Sequence, residues 1–270
     1  MMRALWTAAS GMTTQQTNVD TISNNLANIN TTAYKKEAAQ FKSLLYQTIQ
    51  EQSYDNNGDA KPSGIQVGLG VRNSAITTQF TQGAVNETGN DYDLAIYGKG
   101  FFMVQTPDGE TAYTRNGAFQ MAIGAYGLTL ATSEGFPVLD SSGEPITLEG
   151  DYSASDITID DQGNLLYPDE EGLSVPIGIQ IGLAQFNNPG GLEKTSGSLL
   201  TATEASGEPR LEAEDGTLQL STIKQGYLEA SNVAAVDEMV SLIVAQRAYE
   251  MNSKIITAAD EMLQQANNLR

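Results

Sequence analysis

Carboxylates are the only abundant groups in this chain able to do proton chemistry, because its 270 residues contain neither histidine nor cysteine. The commonest general base, the commonest nitrogen metal ligand and the most nucleophilic side chain are therefore all missing. Paired carboxylates could cleave a glycosidic bond if they stood on opposite sides of it. Asp160-Asp161 and the acidic run Asp169-Glu170-Glu171 are the places to look. Neighbours on a strand point to opposite faces, and Asp160 and Asp161 abut a Gln162-Gly163 turn, so a solvated turn explains them better.

Metal and phosphate sites fare no better. Asp55, Asn57 and Asp59 alternate as calcium ligands do, but the sixth position of that loop is Ala60 where glycine is needed and the twelfth is Gln66 where glutamate is needed. Gly64, Gly68 and Gly70 lack the dinucleotide spacing, and no helix follows them to receive a phosphate. Two Asn-X-Thr triplets, at Asn30 and Asn86, match the glycosylation acceptor pattern, which is frequent by chance. The residues point to no catalytic site, no cofactor and no metal.

The elements carry more information than the titratable groups. Near the N-terminus Leu5, Met12, Val19 and Leu26 recur every seven residues, with Ala8, Ile22 and Ile29 three places after members of that series and Gln15 breaking it. Near the C-terminus Val244, Met251 and Ala258 form one such series, and Ala248, Ile255, Met262 and Leu269 a second. These spacings predict helices from about Met2 to about Asn28 and from about Asn232, an N-cap candidate, to the C-terminus. Leu5, Met12, Val19, Ile22 and Leu26, with Val244, Met251, Ile255 and Met262, are the expected subunit-packing residues. Two narrow stripes are marginal alone, so the helices are expected to fray in a monomer and gain order from neighbours; an intramolecular antiparallel hairpin is the other arrangement the pattern allows.

Between about residues 66 and 222 the pattern changes to short β-prone runs separated by turn dipeptides such as Asp108-Gly109, Asn116-Gly117, Ser142-Gly143 and Asp215-Gly216. The fold class expected is α+β, with a discontinuous helical coiled-coil domain built from both termini and an all-β domain inserted between them. Residues 1–32 and 231–270 form the helical domain, 33–75 and 220–230 a connecting segment, and 76–219 the β domain. The polar stretch 50–64 reads as a loop.

Charge divides along the same lines. The chain carries 14 basic and 33 acidic residues, a net of −19. Residues 1–32 are neutral and residues 231–270 carry five acids and three bases, leaving −17 for the interior. That balance argues against nucleic acid and anionic membranes, and keeps long-range repulsion away from the ends. No run approaches the roughly 20 apolar residues of a membrane span, and the start lacks the pattern of a cleaved signal peptide.

Specific motifs go further than periodicity. Ser23-Asn24-Asn25-Leu26-Ala27-Asn28 with Thr31, Thr32, Tyr34 and Lys35 resembles the N-terminal signature of the bacterial flagellar rod and hook axial proteins. Glu229-Ala230-Ser231-Asn232-Val233, continuing through Glu238, Met239 and Gln246-Arg247-Ala248-Tyr249-Glu250, is similar to the same family's terminal helix. Gly98-Lys99-Gly100-Phe101-Phe102 and Tyr113 to Phe119 resemble its β-domain motifs, and Leu44 to Ile49 with Pro62-Ser63-Gly64 look most like its distal rod members. Segment 51–61 departs from the pattern by being more acidic and Asn-rich. The resemblance implies a non-enzymatic subunit that self-assembles into a hollow, torque-transmitting homo-polymer in the basal body, in the rod that crosses the periplasm. It also implies export through the flagellar type III apparatus, and contact with proximal rod subunits, hook subunits and the periplasmic and outer-membrane rings. A proximal rod or hook subunit, and a secreted acidic β-domain hydrolase, are the rival readings.

Overall fold

The computed structural model describes residues 2–50, 64–124, 127–148, 153, 156–169 and 173–268. The calcium-like run at 55–59, the departing segment 51–61, Glu170, Glu171 and Leu269 lie outside them. The architecture is α+β: one helix at each end and many short strands between. The chain divides into two compact units, one of Met1–Ala27, Glu37–Thr78 and Ala234–Arg270, the other of Asn28–Lys36 and Gln79–Val233.

The first unit holds α1 (Met2–Ala27), α2 (Ala235–Asn268) and four strands, β1 (Glu37–Ser43), β2 (Tyr46–Gln50), β3 (Ile65–Gly68) and β4 (Val71–Thr78). Neither helix contains proline. The threonines of α1, poor helix formers, satisfy their own hydroxyls: Thr14 and Thr21 donate to the carbonyls of Ser10 and Thr17, at 2.7 and 2.8 Å. Asp237 and Glu238 occupy the first turn of α2, where the helix dipole favours negative charge. Gly11 lies against the Asn252 side chain, and the Asn25 side chain meets Glu238. Advancing along α1 therefore means retreating along α2, and the two helices are antiparallel.

The strands attach to α1 through side chains. β1 and β4 pair antiparallel, with a register shift between Gln40 and Phe41 of the kind a bulge produces. Asn73 of β4 donates to the Thr17 hydroxyl at 2.7 Å, and the Ser10 hydroxyl accepts from the Val71 N–H at 3.4 Å. β2 and β3 form a second antiparallel pair, on which Tyr46, Ile49 and Ile65 are exposed.

In the second unit, described residues outside the short 3₁₀ turns form strands and loops. It begins with β5 (Val85–Glu87), β6 (Leu94–Tyr97), β7 (Phe101–Gln105) and β8 (Thr111–Thr114), and its largest sheet has six strands centred on β7 and β8. Alternation along β6 and β7 buries Leu94, Ile96, Phe102 and Val104 against Phe119, Leu130 and Ile181 in the main core. Gly109 and Gly143 have φ of 83°, the left-handed conformation expected of their turns. Gly117 is glycine for another reason: a Cβ there would overlap the Leu94 carbonyl oxygen.

Candidate assembly faces and the polar keys behind them

The seam between α1 and α2 mixes alanine and glycine with a few polar and larger apolar residues. On α1 the inward positions include Ala8, Gly11, Asn18, Ile22 and Asn25; on α2 they include Glu238, Leu242, Ala245, Asn252, Ile256 and Ala259. Both sets follow the alternating three- and four-residue steps of a heptad. Four other large apolar residues of α2 point elsewhere. Val244 is 63% exposed, Met251 59%, Ile255 47% and Met262 51%. At about 100° per residue these four fall within about 40° of one another, a single outward stripe. Val236 and Val240, both exposed, extend it toward the start of α2.

The expected packing residues thus divide. Ile22 is buried, Leu5, Met12, Val19 and Leu26 are half-buried, and the four on α2 lie on the open side. Beside the pair runs a groove of about 390 Å³ lined by Gln16, Val19, Gln246, Tyr249 and Glu250. Trp6 and Met2 are exposed at the start of α1.

Behind these faces, each unit is held by a buried polar cluster. In the first unit Asn25 is the hub. Its Nδ2 donates to the Glu37 carbonyl at 2.8 Å and to Glu238 Oε2 at 3.2 Å, while its Oδ1 accepts the Glu37 N–H at 2.9 Å. This one amide clips the first residue of β1 to α1 and reaches across to α2.

In the second unit the hub is Glu229, 1% exposed. Its Oε1 accepts from Lys35 Nζ at 2.6 Å and from the Gly83 N–H at 2.8 Å, and its Oε2 lies 3.4 Å from Arg115 Nε. Burial pushes the Lys35 ammonium below its ordinary range, while the hydrogen bond and charge of Glu229 pull it back up. Arg115, also lowered by burial, is supported by Glu229 and Glu212 and donates to the carbonyls of Gly98 and Gly100. Glu212 in turn accepts from the N–H and the hydroxyl of Ser221. Two buried cations are matched by two buried carboxylates, so none of these charges is left uncompensated.

Asn232 does something other than cap α2. The helix begins at Ala235, where the Glu238 N–H bonds the Ala234 carbonyl at 3.1 Å. The Asn232 side chain instead accepts the Lys36 N–H at 2.7 Å and donates to the Gln79 and Thr81 carbonyls at 2.8 and 3.1 Å. It gathers three segments distant in sequence, and that long-range demand overrides its local capping propensity.

Asp160 and Asp161, first considered for catalysis, lie in a turn. Asp160 is exposed and accepts from the Asp161 N–H at 2.7 Å, a turn-stabilising bond, and its carbonyl receives the Gly163 N–H. Among the described residues no group of three or more acidic side chains is placed to hold a metal. No helix among them is long and apolar enough to cross a membrane.

The polar hubs join regions that family models recognise separately. Residues 5–35 match the flagella basal body rod protein model, 95–167 the flagellar hook protein FlgE/F/G D1 domain, and 224–269 the flagellar basal body rod FlgEFG protein C-terminal model. Asn25 and Glu238 come from the first and last of these stretches; Lys35, Arg115 and Glu229 come one from each. Curated relatives align end to end. The flagellar basal-body rod protein FlgG of Caulobacter vibrioides is 44% identical over 100% of both chains. That of Borreliella burgdorferi is 43% identical over 100% of this chain and 99% of its own, and that of Bacillus subtilis 38% over 100% of both.

The chain belongs to the FlgG family of flagellar rod proteins. Members of that family are structural proteins and not enzymes, which agrees with the absence of histidine and cysteine and with the solvated turn at Asp160. The residues that carry the family signature were thus in view in the sequence, yet their role was not. Asn25, Lys35, Arg115, Glu229, Asn232 and Glu238 are polar residues in or beside apolar runs, and that incongruity was the available signal.

Proposed function

We propose that this chain is a structural subunit of the flagellar basal-body distal rod, one that self-assembles into a rigid helical tube. In this reading the paired terminal helices form a coiled-coil inner wall and the inserted β domain lies outside it. The tube transmits torque from motor to hook and forms part of the export channel. Its neighbours are copies of itself along the tube, proximal rod subunits at one end, hook subunits at the other, and the ring proteins it passes. It reaches the periplasm through the flagellar type III apparatus.

One observation carries this proposal. α2 turns Glu238, Ala245, Asn252 and Ala259, with Leu242 and Ile256, toward α1 and leaves Val244, Met251, Ile255 and Met262 in the open. Covering the exposed half of each side chain is worth roughly 1 kcal/mol, so a stripe of this length favours association only when many residues engage together. A torque-bearing tube needs such a joint, heterologous, non-closing and repeated along a helix. The near-neutral ends let the stripes approach, and residues 33–230 carry the remaining −17.

The test is a chain carrying Met251→Glu and Ile255→Glu. Both residues are exposed, so the isolated protein keeps its unfolding midpoint to within about 0.5 kcal/mol of stability per change. In cells lacking the natural gene it supports neither rods nor swimming. Normal swimming with this variant contradicts the proposal. A proximal rod or hook subunit is the neighbouring alternative, and contact mapping of segment 46–66 in an assembled filament separates them, because a straight, stiff rod needs β2 and β3 to brace adjacent subunits.

A further inference from the structure

α1 rests on the less apolar of the two faces that α2 offers. The occupied face presents Glu238, Leu242, Ala245, Asn252, Ile256 and Ala259, two of them polar and two alanine, whereas the vacant one presents Val240, Val244, Met251, Ile255 and Met262, all apolar. Apolar burial scales with area, so hydrophobicity alone would seat α1 on the vacant stripe. Something polar must oppose it. We infer that Glu238, acting on Asn25, is the residue that selects which face of α2 receives α1.

The geometry supplies the selectivity. Asn25 cannot turn freely, because the Glu37 backbone holds its amide from both ends, at 2.8 Å through Nδ2 and 2.9 Å through Oδ1. The remaining Nδ2 hydrogen has a fixed direction, and Glu238 Oε2 meets it at 3.2 Å. Asn25 and Glu238 are each 1% exposed. Rotating α2 by about 100° to offer its larger residues would forfeit this charge-assisted bond while leaving Asn25 clipped to β1. A buried polar residue that fixes helix arrangement at some expense in stability is a known device of helical seams.

Farther along the pair, Gly11 reinforces the choice. A Cβ at Gly11 would stand 2.8 Å from Asn252 Nδ2, so the backbone of α1 comes close to this face. A bulky residue of the vacant stripe would not fit in that space. Glu238 is thus a positioning residue for the helix pair. On the rod reading above, its effect is to keep the large apolar stripe free for the next subunit.

The chain has no cysteine, so introduced pairs report cleanly. In the full-length protein, Gly11→Cys with Asn252→Cys reports the observed face, and Gly11→Cys with Met251→Cys reports the neighbouring one. Under mild oxidation the first pair is expected to close and the second to remain open. Adding Glu238→Ala is expected to lower the ratio of first to second disulfide roughly ten-fold, the effect of losing one charge-assisted hydrogen bond. Adding Glu238→Gln, which keeps an oxygen acceptor for Asn25, restores the ratio. Circular dichroism monitors helix content throughout. An unchanged ratio with Glu238→Ala, or failure of the first pair to close in the unaltered background, overturns the inference. So does a parallel fall of both disulfides with lost helicity, which would assign Glu238 to stability alone. Assembly is read separately by rod formation, so a chain can pass this test and still refute the rod reading.

Discussion

Glu229 shows how one side chain can hold a unit together. It closes a buried cluster with Lys35, from near the N-terminus, and Arg115, from the middle of the sequence, and it also receives the Gly83 N–H. Removing a single member of such a set leaves charge uncompensated in a low-dielectric interior, which costs far more than the net worth of the intact set. Glu229→Gln keeps the shape and removes the charge. Urea unfolding of this variant is expected to show a loss of about 3–5 kcal/mol; a loss below about 1 kcal/mol, the size of a solvated pair, would contradict the buried-cluster account. Asn25 and Asn232 act by a different principle, pairing backbone groups of remote segments with an amide that both donates and accepts.

At the scale of elements, α1 and α2 are long but thinly joined. Their seam buries Ala8, Ile22, Ala245 and Ala259 beside Asn25 and Glu238, which is little apolar area for two such helices. β6 and β7 instead bury almost every side chain. Hydrogen exchange in a dilute monomer is therefore expected to be fast through residues 2–27 and 235–268 and slow in β6 and β7. Equal protection in both would show that the helix pair is complete without neighbours. The helices and the β-rich interior were legible because seven-residue spacing and turn dipeptides are local signals. The choice of face was not. The overlapping series on α2 named Val244, Met251, Ile255 and Met262 as packing residues without saying whether they meet α1 or another subunit, and the positions facing α1 include Ala245, Asn252 and Ala259. Nothing local says that Asn25 has a carboxylate to meet, because Glu238 lies at the far end of the chain. Asn232 misled for the same reason: two remote segments, at Lys36 and at 79–81, claim its side chain.

For the whole molecule, the chain divides into two compact units. One carries both termini and the outward apolar stripe; the other carries the main core and the buried ionic cluster. A family of proteins without catalytic machinery still needs exacting geometry, and here it is supplied by polar hubs joining the stretches that the three family models match. The central claim is that the open stripe on α2 is completed by other copies of the chain. An image reconstruction of the purified basal body, resolved to side chains, tests it most directly. The expected result is Val244, Met251, Ile255 and Met262 covered by helices of adjacent subunits; finding them facing solvent or the open lumen would contradict it.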